Sequence, residues 1–329
     1  MNKFIFLFLS IVSGMLELGG IVFGVSLKLP IEYILVIALA YQVGNLFPNP
    51  ISLNKFGLII ISFISIMMLT FINIIEFKYS LFLMSYIMLN IVVQSMRALK
   101  KSDINTSVKR IFRMSGFLIV PFFSIKIILC ISIILFFLSL RLEHDKSMKF
   151  KLINPKIKFI NIVMIIHQMH YFCYVYFIII LMSSYLDKYK LILGVLFTLG
   201  WVSYTSVPHI LKKSTYYKYL CIGHIWLAGI LITIVLNIDN IYAITILWIL
   251  TGFGGGTVFC INKINKCKDN TSELSMSFSE NIGHVLGVAI GLLIFIVTKS
   301  MIYPVILSSI FAIMTVILIS YYYFCIDIK

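Results

Sequence analysis

Residues Arg141 to Lys158 read RLEHDKSMKFKLINPKIK, and no longer polar interval occurs in the 329-residue chain. They hold six of its 27 basic residues: Arg141, Lys146, Lys149, Lys151, Lys156 and Lys158. On either side lies a half of similar length, built from apolar runs broken by short polar turns. The pattern reads as a basic linker, 141–158, tying an N-terminal bundle, 1–140, to a C-terminal bundle, 159–329.

Working outward from that linker, the apolar runs set the class. Hydrophobic residues make up 61% of the chain and charged residues 12%, with a mean hydropathy of +1.05. Soluble domains sit near half apolar and a quarter charged, so lipid must be the solvent for most of these side chains. The expected class is all-α and polytopic. A net charge of +15 would suggest nucleic acid in a soluble protein. Here the basic residues lie between apolar runs, where cationic loops on one membrane face need no nucleic-acid partner. The bilayer itself is the expected partner. Six cysteines, Cys130, Cys173, Cys221, Cys260, Cys267 and Cys325, lie far apart with no C-x-x-C pair and read as small apolar residues.

A helix needs about 20 residues to cross the hydrocarbon. Apolar runs of that order occur near 4–27, 33–50, 57–76, 79–96, 159–186, 190–211, 218–236, 241–262, 277–298 and 301–325. The first could pass for a secretory signal, but no A-x-A-like site follows it, so it reads as a span. Region 108–140 is divided by Pro121 and Ser124 into two short spans, near 108–122 and 124–140. The total is twelve. With both termini cytoplasmic, 21 of the 27 basic residues fall on the inner face, including Arg97, Lys109, Arg110 and Arg113 between spans 4 and 5. That bias follows the positive-inside rule, and eleven spans would invert the second half. The richness in Ile, Lys and Asn points to an AT-rich bacterial genome, hence a bacterial inner membrane.

Several polar residues stand inside these spans. Glu17 lies midway along span 1, in GMLELGG. A carboxylate there must be protonated, paired or facing water, and low dielectric suits a carboxyl to carrying protons. Glu280 and His284 are four apart in span 11 and share a face, as a proton-passing pair or a local ion pair. Span 7 carries His167, His170 and Tyr174 on one stripe, with Gln168, Met169 and Cys173 beside it. Two imidazoles at i, i+3 can reach one metal ion, with Cys173 assisting; the same stripe suits a polar cavity wall or plain packing. H-x-x-H lacks the glutamate of a zincin helix. Asn90 and Gln94 share a face of span 4 and could line the same cavity. His209 and His224 read as interfacial. Gly283, Gly287 and Gly291 recur every four residues and predict a close helix seam, and Gly14, Gly19, Gly20 and Gly24 loosen span 1 similarly. The run Gly254-Gly255-Gly256 lacks the Lys-Ser/Thr of a phosphate loop.

An offset of 158 aligns Pro50-Ile51-Ser52-Leu53-Asn54-Lys55 with Pro208-His209-Ile210-Leu211-Lys212-Lys213, both P-x-x-L-polar-Lys. Two six-helix repeats about an axis along the membrane normal is the plan of major facilitator transporters. The turn Pro50 to Gly57 resembles a degenerate form of that superfamily's G-x-x-x-D-R-x-G-R-K loop: Lys55 and Gly57 fit, while Pro50 replaces the glycine, Asn54 the aspartate and Leu58-Ile59 the basic pair. Spans 10 and 11, with their small residues, are similar to their counterparts in these transporters. The resemblance implies a gating role for Asn54, Lys55 and Gly57. It also implies a central path lined by spans 1, 4, 7 and 10, which carry Glu17, Gln94 and His170.

These readings converge on a secondary active transporter with no cofactor and no catalytic centre. It would be proton-coupled through Glu17, Glu280 and His284, moving a small solute at Asn90, Gln94, His167, His170 and Tyr174. Export is the direction the resemblance implies. Export of a metal ion or metal-chelating metabolite is an alternative. A lipid-acting membrane enzyme or a non-transporting scaffold is another, although the basic segments look like ordinary positive-inside loops.

Overall fold

Hydrocarbon offers backbone N–H and C=O groups no partner, so each apolar run has to close its own hydrogen-bond ladder. A computed structural model describes residues 2–46, 53–71, 78–99, 106–142, 157–186, 188–210, 216–266 and 271–324. Among them every regular element is helical and none is a strand. One unit, Met1–Ile153, holds α1 (Asn2–Ser26), α2 (Ile31–Leu46), α3 (Lys55–Phe71), α4 (Lys78–Leu99), α5 (Thr106–Ile119) and α6 (Ile125–Leu140). The other, Asn154–Lys329, holds α7 (Phe159–Tyr185), α8 (Lys190–Ile210), α9 (Tyr216–Leu236), α10 (Ile241–Gly255), α11 (Val258–Ile264), α12 (Glu273–Thr298) and α13 (Ile302–Tyr322). Most of the linker, 143–156, lies outside the described residues, as do Pro50–Ser52 and two cysteines, Cys267 and Cys325.

Eight stretches are long and apolar enough to cross a membrane: Lys3–Ser26, Tyr79–Arg97, Phe159–Tyr185, Lys190–Pro208, Tyr216–Leu236, Ile241–Ile264, Glu273–Thr298 and Ile302–Tyr322. The chain is a multi-pass membrane protein. α2, α3 and α6 are equally apolar but only 16, 17 and 16 residues long. α5 is shorter still, at 14 residues, and carries Lys109, Arg110 and Arg113.

The proline break expected near 121 is present. α5 ends at Ile119, a 3-10 turn with Pro121 follows, and Ser124 caps α6 by accepting a hydrogen bond from Ile127 N–H. A second interruption, at Gly256–Thr257, was not expected and splits one apolar run into α10 and α11. The glycines around it explain it. Gly252 abuts the Gly200 carbonyl and Ser203 of α8, Gly256 abuts the Tyr204 carbonyl and Val207, and Gly254 abuts the Gly223 carbonyl of α9. Backbone is held against backbone on two sides, and the ladder turns at that point.

The two units follow one plan. α1 to α4 begin at residues 2, 31, 55 and 78, and α7 to α10 at 159, 190, 216 and 241. Their packing pairs also repeat: α1 packs on α5 as α7 does on α12, α3 on α6 as α9 on α13, α3 on α4 as α9 on α10, and α2 on α4 as α8 on α10. The segments aligned by the 158-residue offset lie partly outside the described residues, at 50–52 and 211–213. In both units the first pair closes through small residues. Gly14 lies against the Arg113 carbonyl and Gly116 against the Ile11 carbonyl. Gly283 stands against Ile165 and Gln168, Gly287 against Met169 and Phe172, and Gly291 against Cys173 and Phe177. The seam expected from the four-residue spacing is thus the α7–α12 contact. A Cβ at Gly287 would come within 2.7 Å of the Met169 carbonyl and 2.9 Å of Phe172 Cβ.

A branched side chain at this seam forces backbone apart, and overpacking of this kind costs about 1–3 kcal/mol. Gly287→Val should lower the midpoint of thermal unfolding in detergent. Gly229→Ala in exposed α9, where a Cβ meets nothing within 4 Å, should hold or raise it. Equal midpoints for the two variants would remove the seam's role.

Candidate functional site

The first unit gathers its polar side chains on the facing surfaces of α1, α2, α4 and α5. Glu17 does not stand unaccompanied in α1. Arg113 of α5 donates to its Oε2 from Nη2 at 2.6 Å and from Nε at 3.2 Å. The glutamate side chain is 11% exposed and the arginine 27%. Arg113 was expected in an inner-face loop; it is inside a helix, as the counter-charge that an intramembrane carboxylate requires. Arg97 likewise belongs to the last turn of α4, and its Nη1 donates to Ser13 Oγ (3.0 Å) and Gln94 Oε1 (2.9 Å). These two arginines leave the set of loop cations, and the orientation argument rests on the remaining lysines and arginines.

A chain of hydrogen bonds continues from there. Gln94 Nε2 donates to Ser13 Oγ and to Asn90 Oδ1, both at 3.2 Å. Asn90 Nδ2 donates to the Tyr41 carbonyl (2.6 Å) and to Asn45 Oδ1 (3.1 Å), and Tyr41 Oη donates to the Ser13 carbonyl (3.2 Å). Asn90 is fully buried with its amide engaged on both edges, whereas Gln94 and Arg97 keep partial exposure. Arg97 Nε is buried and makes no hydrogen bond. Nearby the Tyr86 hydroxyl donates to the Leu16 carbonyl of α1 and accepts from Gly20 N–H. Gly20 leaves room for that ring, its Cβ position lying 2.8 Å from Tyr86 Oη.

The second unit places the span-7 histidines in its own interior. His167 and His170 of α7 are 1% and 0% exposed, and His224 of α9, expected at a membrane interface, is 0% exposed beside them. His167 Nδ1 lies 2.7 Å from His224 Nε2 and 3.2 Å from His170 Nε2. His224 Nδ1 bonds the Leu220 carbonyl at 2.8 Å, and Ser308 of α13 donates to the His170 carbonyl. The three rings meet edge to face with centroids 4.8–5.1 Å apart. His224 was missed because nothing in one sequence sets α9 against α7; its place two turns inside an apolar span was the available sign.

The other expected residues are placed as follows. Tyr174 is buried and packs edge-on against Tyr171. Cys173 is buried, and its thiol donates to the Pro304 carbonyl (3.4 Å) rather than joining the imidazoles. Glu280 and His284 do approach, with His284 Nε2 4.0 Å from Glu280 Oε1, and Gln168 of α7 donates to the same oxygen at 3.5 Å. Glu280 is 42% exposed and His284 14%, with the His284 ring against Phe172. Asn54 Oδ1 accepts from Gly57 N–H at 2.8 Å and its carbonyl accepts from Leu58 N–H, so Asn54 starts α3, in which Lys55 is the first residue. Residues 50–52 of that loop are outside the described residues.

No protein-family model matches the chain, and no curated protein does. Solved structures do. The chain is similar to a bacterial metal transporter (13% identity, TM-score 0.56, 96% of this chain and 97% of that one). It is also similar to the E. coli fucose:proton symporter (8%, 0.53, 97% and 98%) and to PepTSo, a transporter of the POT family (11%, 0.57, 100% and 99%). At such identities the likeness is one of fold, and the fold is that of membrane transporters along nearly the whole chain.

Because the Glu17–Arg113 pair spans two helices, its members should behave as a coupled unit. Glu17→Ala and Arg113→Ala should each destabilise the protein. The double variant should fall short of their sum, by a coupling of about 0.5–3 kcal/mol, since contacting charges are not additive. Unfolding midpoints of the four proteins in one detergent give that cycle directly; strict additivity would mean the contact contributes nothing.

Proposed function

We propose that the chain is a proton-coupled secondary active transporter. Twelve helices cross the membrane in two six-helix bundles joined by the basic linker 141–158, and a small solute moves by alternating access. The observation that carries this reading is the ion pair of Glu17 with Arg113, an intramembrane carboxylate with its counter-charge on another helix. A proton arriving at a Glu17 carboxylate oxygen removes the negative charge and with it the ionic attraction to Arg113. Contact between α1 and α5 then weakens at a point where their backbones touch. A step of that kind couples proton entry to a change in helix packing, because the proton interacts differently with the two packings.

Glu280 and His284 form the second proton-handling pair in this reading, with Gln168 holding the carboxylate toward α7. The solute is read at the partly exposed edge of the first unit's network, where Gln94 presents an amide and Arg97 a donor lacking a partner. Asn90 braces that edge from behind. In the second unit Tyr174, His167 and His170 would reach a solute only after their helices rearrange, since all three are buried in the conformation described. Export is the proposed direction, by analogy with exporters of the major facilitator superfamily. The start of α3 at Asn54, Lys55 and Gly57 is the proposed gating element on the inner face.

The test is proton movement in proteoliposomes loaded with a pH-sensitive dye. They are challenged in turn with sugars, amino acids, dipeptides, organic cations and divalent metals. The wild-type chain should shift internal pH with at least one class. Glu17→Gln should still let that solute equilibrate but should lose proton movement by about 10²-fold or more, the lower end of what a positioned proton-transfer group contributes. Unchanged proton movement in Glu17→Gln would overturn the coupling role.

A further inference from the structure

Three imidazoles converging in a dry interior lie outside the proton-coupling reading. His167, His170 and His224 are the one group of three or more metal-ligating side chains within ligand distance of one another among the described residues. We propose that they bind one divalent transition-metal ion of the zinc, nickel, cobalt or copper type, through His167 Nδ1, His170 Nε2 and His224 Nε2. The ion would tie α7 to α9. This inference is independent of the direction or coupling of transport.

Hydrogen accounting supports it. The Leu220 carbonyl, 2.8 Å from His224 Nδ1, has to be met by an N–H, which leaves the lone pair of that ring on Nε2. That lone pair lies 2.7 Å from His167 Nδ1, so with neutral rings the bridging hydrogen belongs to His167. His170 Nε2, 3.2 Å from the same nitrogen, meets the same hydrogen as a second acceptor. Three facing nitrogens therefore share one hydrogen. His170 Nδ1 is buried as well and makes no hydrogen bond. A metal ion in place of the shared hydrogen would take a lone pair from each ring, with His167 moving its hydrogen to Nε2. The bond from His224 Nδ1 to the Leu220 carbonyl is the outer contact that fixes a ligating imidazole's tautomer and orientation.

Distances and ligand type fit the same class of ion. Ligands at about 2.0–2.1 Å in a tetrahedral shell sit about 3.3–3.4 Å from one another. The three nitrogens lie within 4.8 Å of one another, with two separations of 2.7 and 3.2 Å, so small ring rotations suffice. Neutral imidazoles without a carboxylate select borderline transition metals over magnesium or calcium. The thiol of Cys173 is turned to Pro304 and leaves an all-nitrogen set. A four-coordinate ion would take water or an anion as its fourth ligand.

The full chain, purified in detergent with its affinity tag removed and metals stripped, is titrated with Co²⁺ and then Zn²⁺. One equivalent of Co²⁺ should produce the visible bands of a four-coordinate site, and Zn²⁺ should abolish them. His170→Gln and His224→Gln should each weaken binding by more than about 100-fold, beyond the loss seen when outer contacts are removed. Cys173→Ala should bind as the wild type does. No stoichiometric binding by the wild type, or full affinity in both histidine variants, would overturn the proposal. X-ray absorption of the Zn²⁺-loaded wild-type chain needs no variant to fold. It should show imidazole nitrogen at about 2.0–2.1 Å, and a shell containing sulfur or oxygen alone would overturn the assignment.

Discussion

A carboxyl carried into hydrocarbon has to be protonated, faced with water or paired, and Glu17 is paired, with Arg113. In the first unit this requirement joins two features that look separate in the sequence. Arg113 reaches Glu17 because α1 and α5 approach backbone to backbone, and the closest approach is Gly14 against the Arg113 carbonyl itself. The small residue that permits the approach and the residue that supplies the charge occupy one contact. A side chain at position 14 would displace α5 at the very residue whose guanidinium holds Glu17. Packing and electrostatics are a single constraint there, and the Ser13–Gln94–Arg97–Asn90 network is arranged around it.

The second unit builds the equivalent helix pair and uses it differently. α7 and α12 close over Gly283, Gly287 and Gly291, but no arginine crosses the seam among the described residues; Gln168, Glu280 and His284 stand beside it instead. The buried histidines of α7, His167 and His170, turn the other way, toward His224 of α9, while Asn161 and Gln168 bond to α12. An imidazole can be neutral and still both donate and accept, so a trio of them can be interred without a carboxylate. The two units thus share several packing pairs while their polar chemistry differs: a charged pair between α1 and α5 in one, a cluster of imidazoles between α7 and α9 in the other.

This contrast explains what was readable from the chain alone. Helical class, the break at Pro121 and the glycine seam all rest on local signals, namely apolar length, proline geometry and four-residue spacing, and the structure displays each of them. The partners of the singled-out polar residues rest on which helix meets which. Arg113 and Arg97 look like loop cations when charge is counted along a line, because short polar stretches flank both. Only the α1–α5 and α1–α4 contacts turn them inward. His224 was passed over for the same reason. The interruption of α10 at Gly256 depends on glycine backbones meeting two neighbouring helices, which a run of glycines does not announce by itself.

The start of α3 shows how a fold can be fixed by local features that carry no distinctive sequence signature. Asn54 accepts the Gly57 N–H through its side-chain oxygen, a service that aspartate and asparagine perform equally well at a helix start. What asparagine cannot offer is the charge. A loop capped by asparagine begins its helix without that charge, so helix placement here does not require a charged motif. The same holds along the chain: glycine seams, caps and apolar length are tolerant encodings that many sequences satisfy. That is consistent with a chain that superposes on transporters across nearly its full length at 8–13% identity and matches no family model.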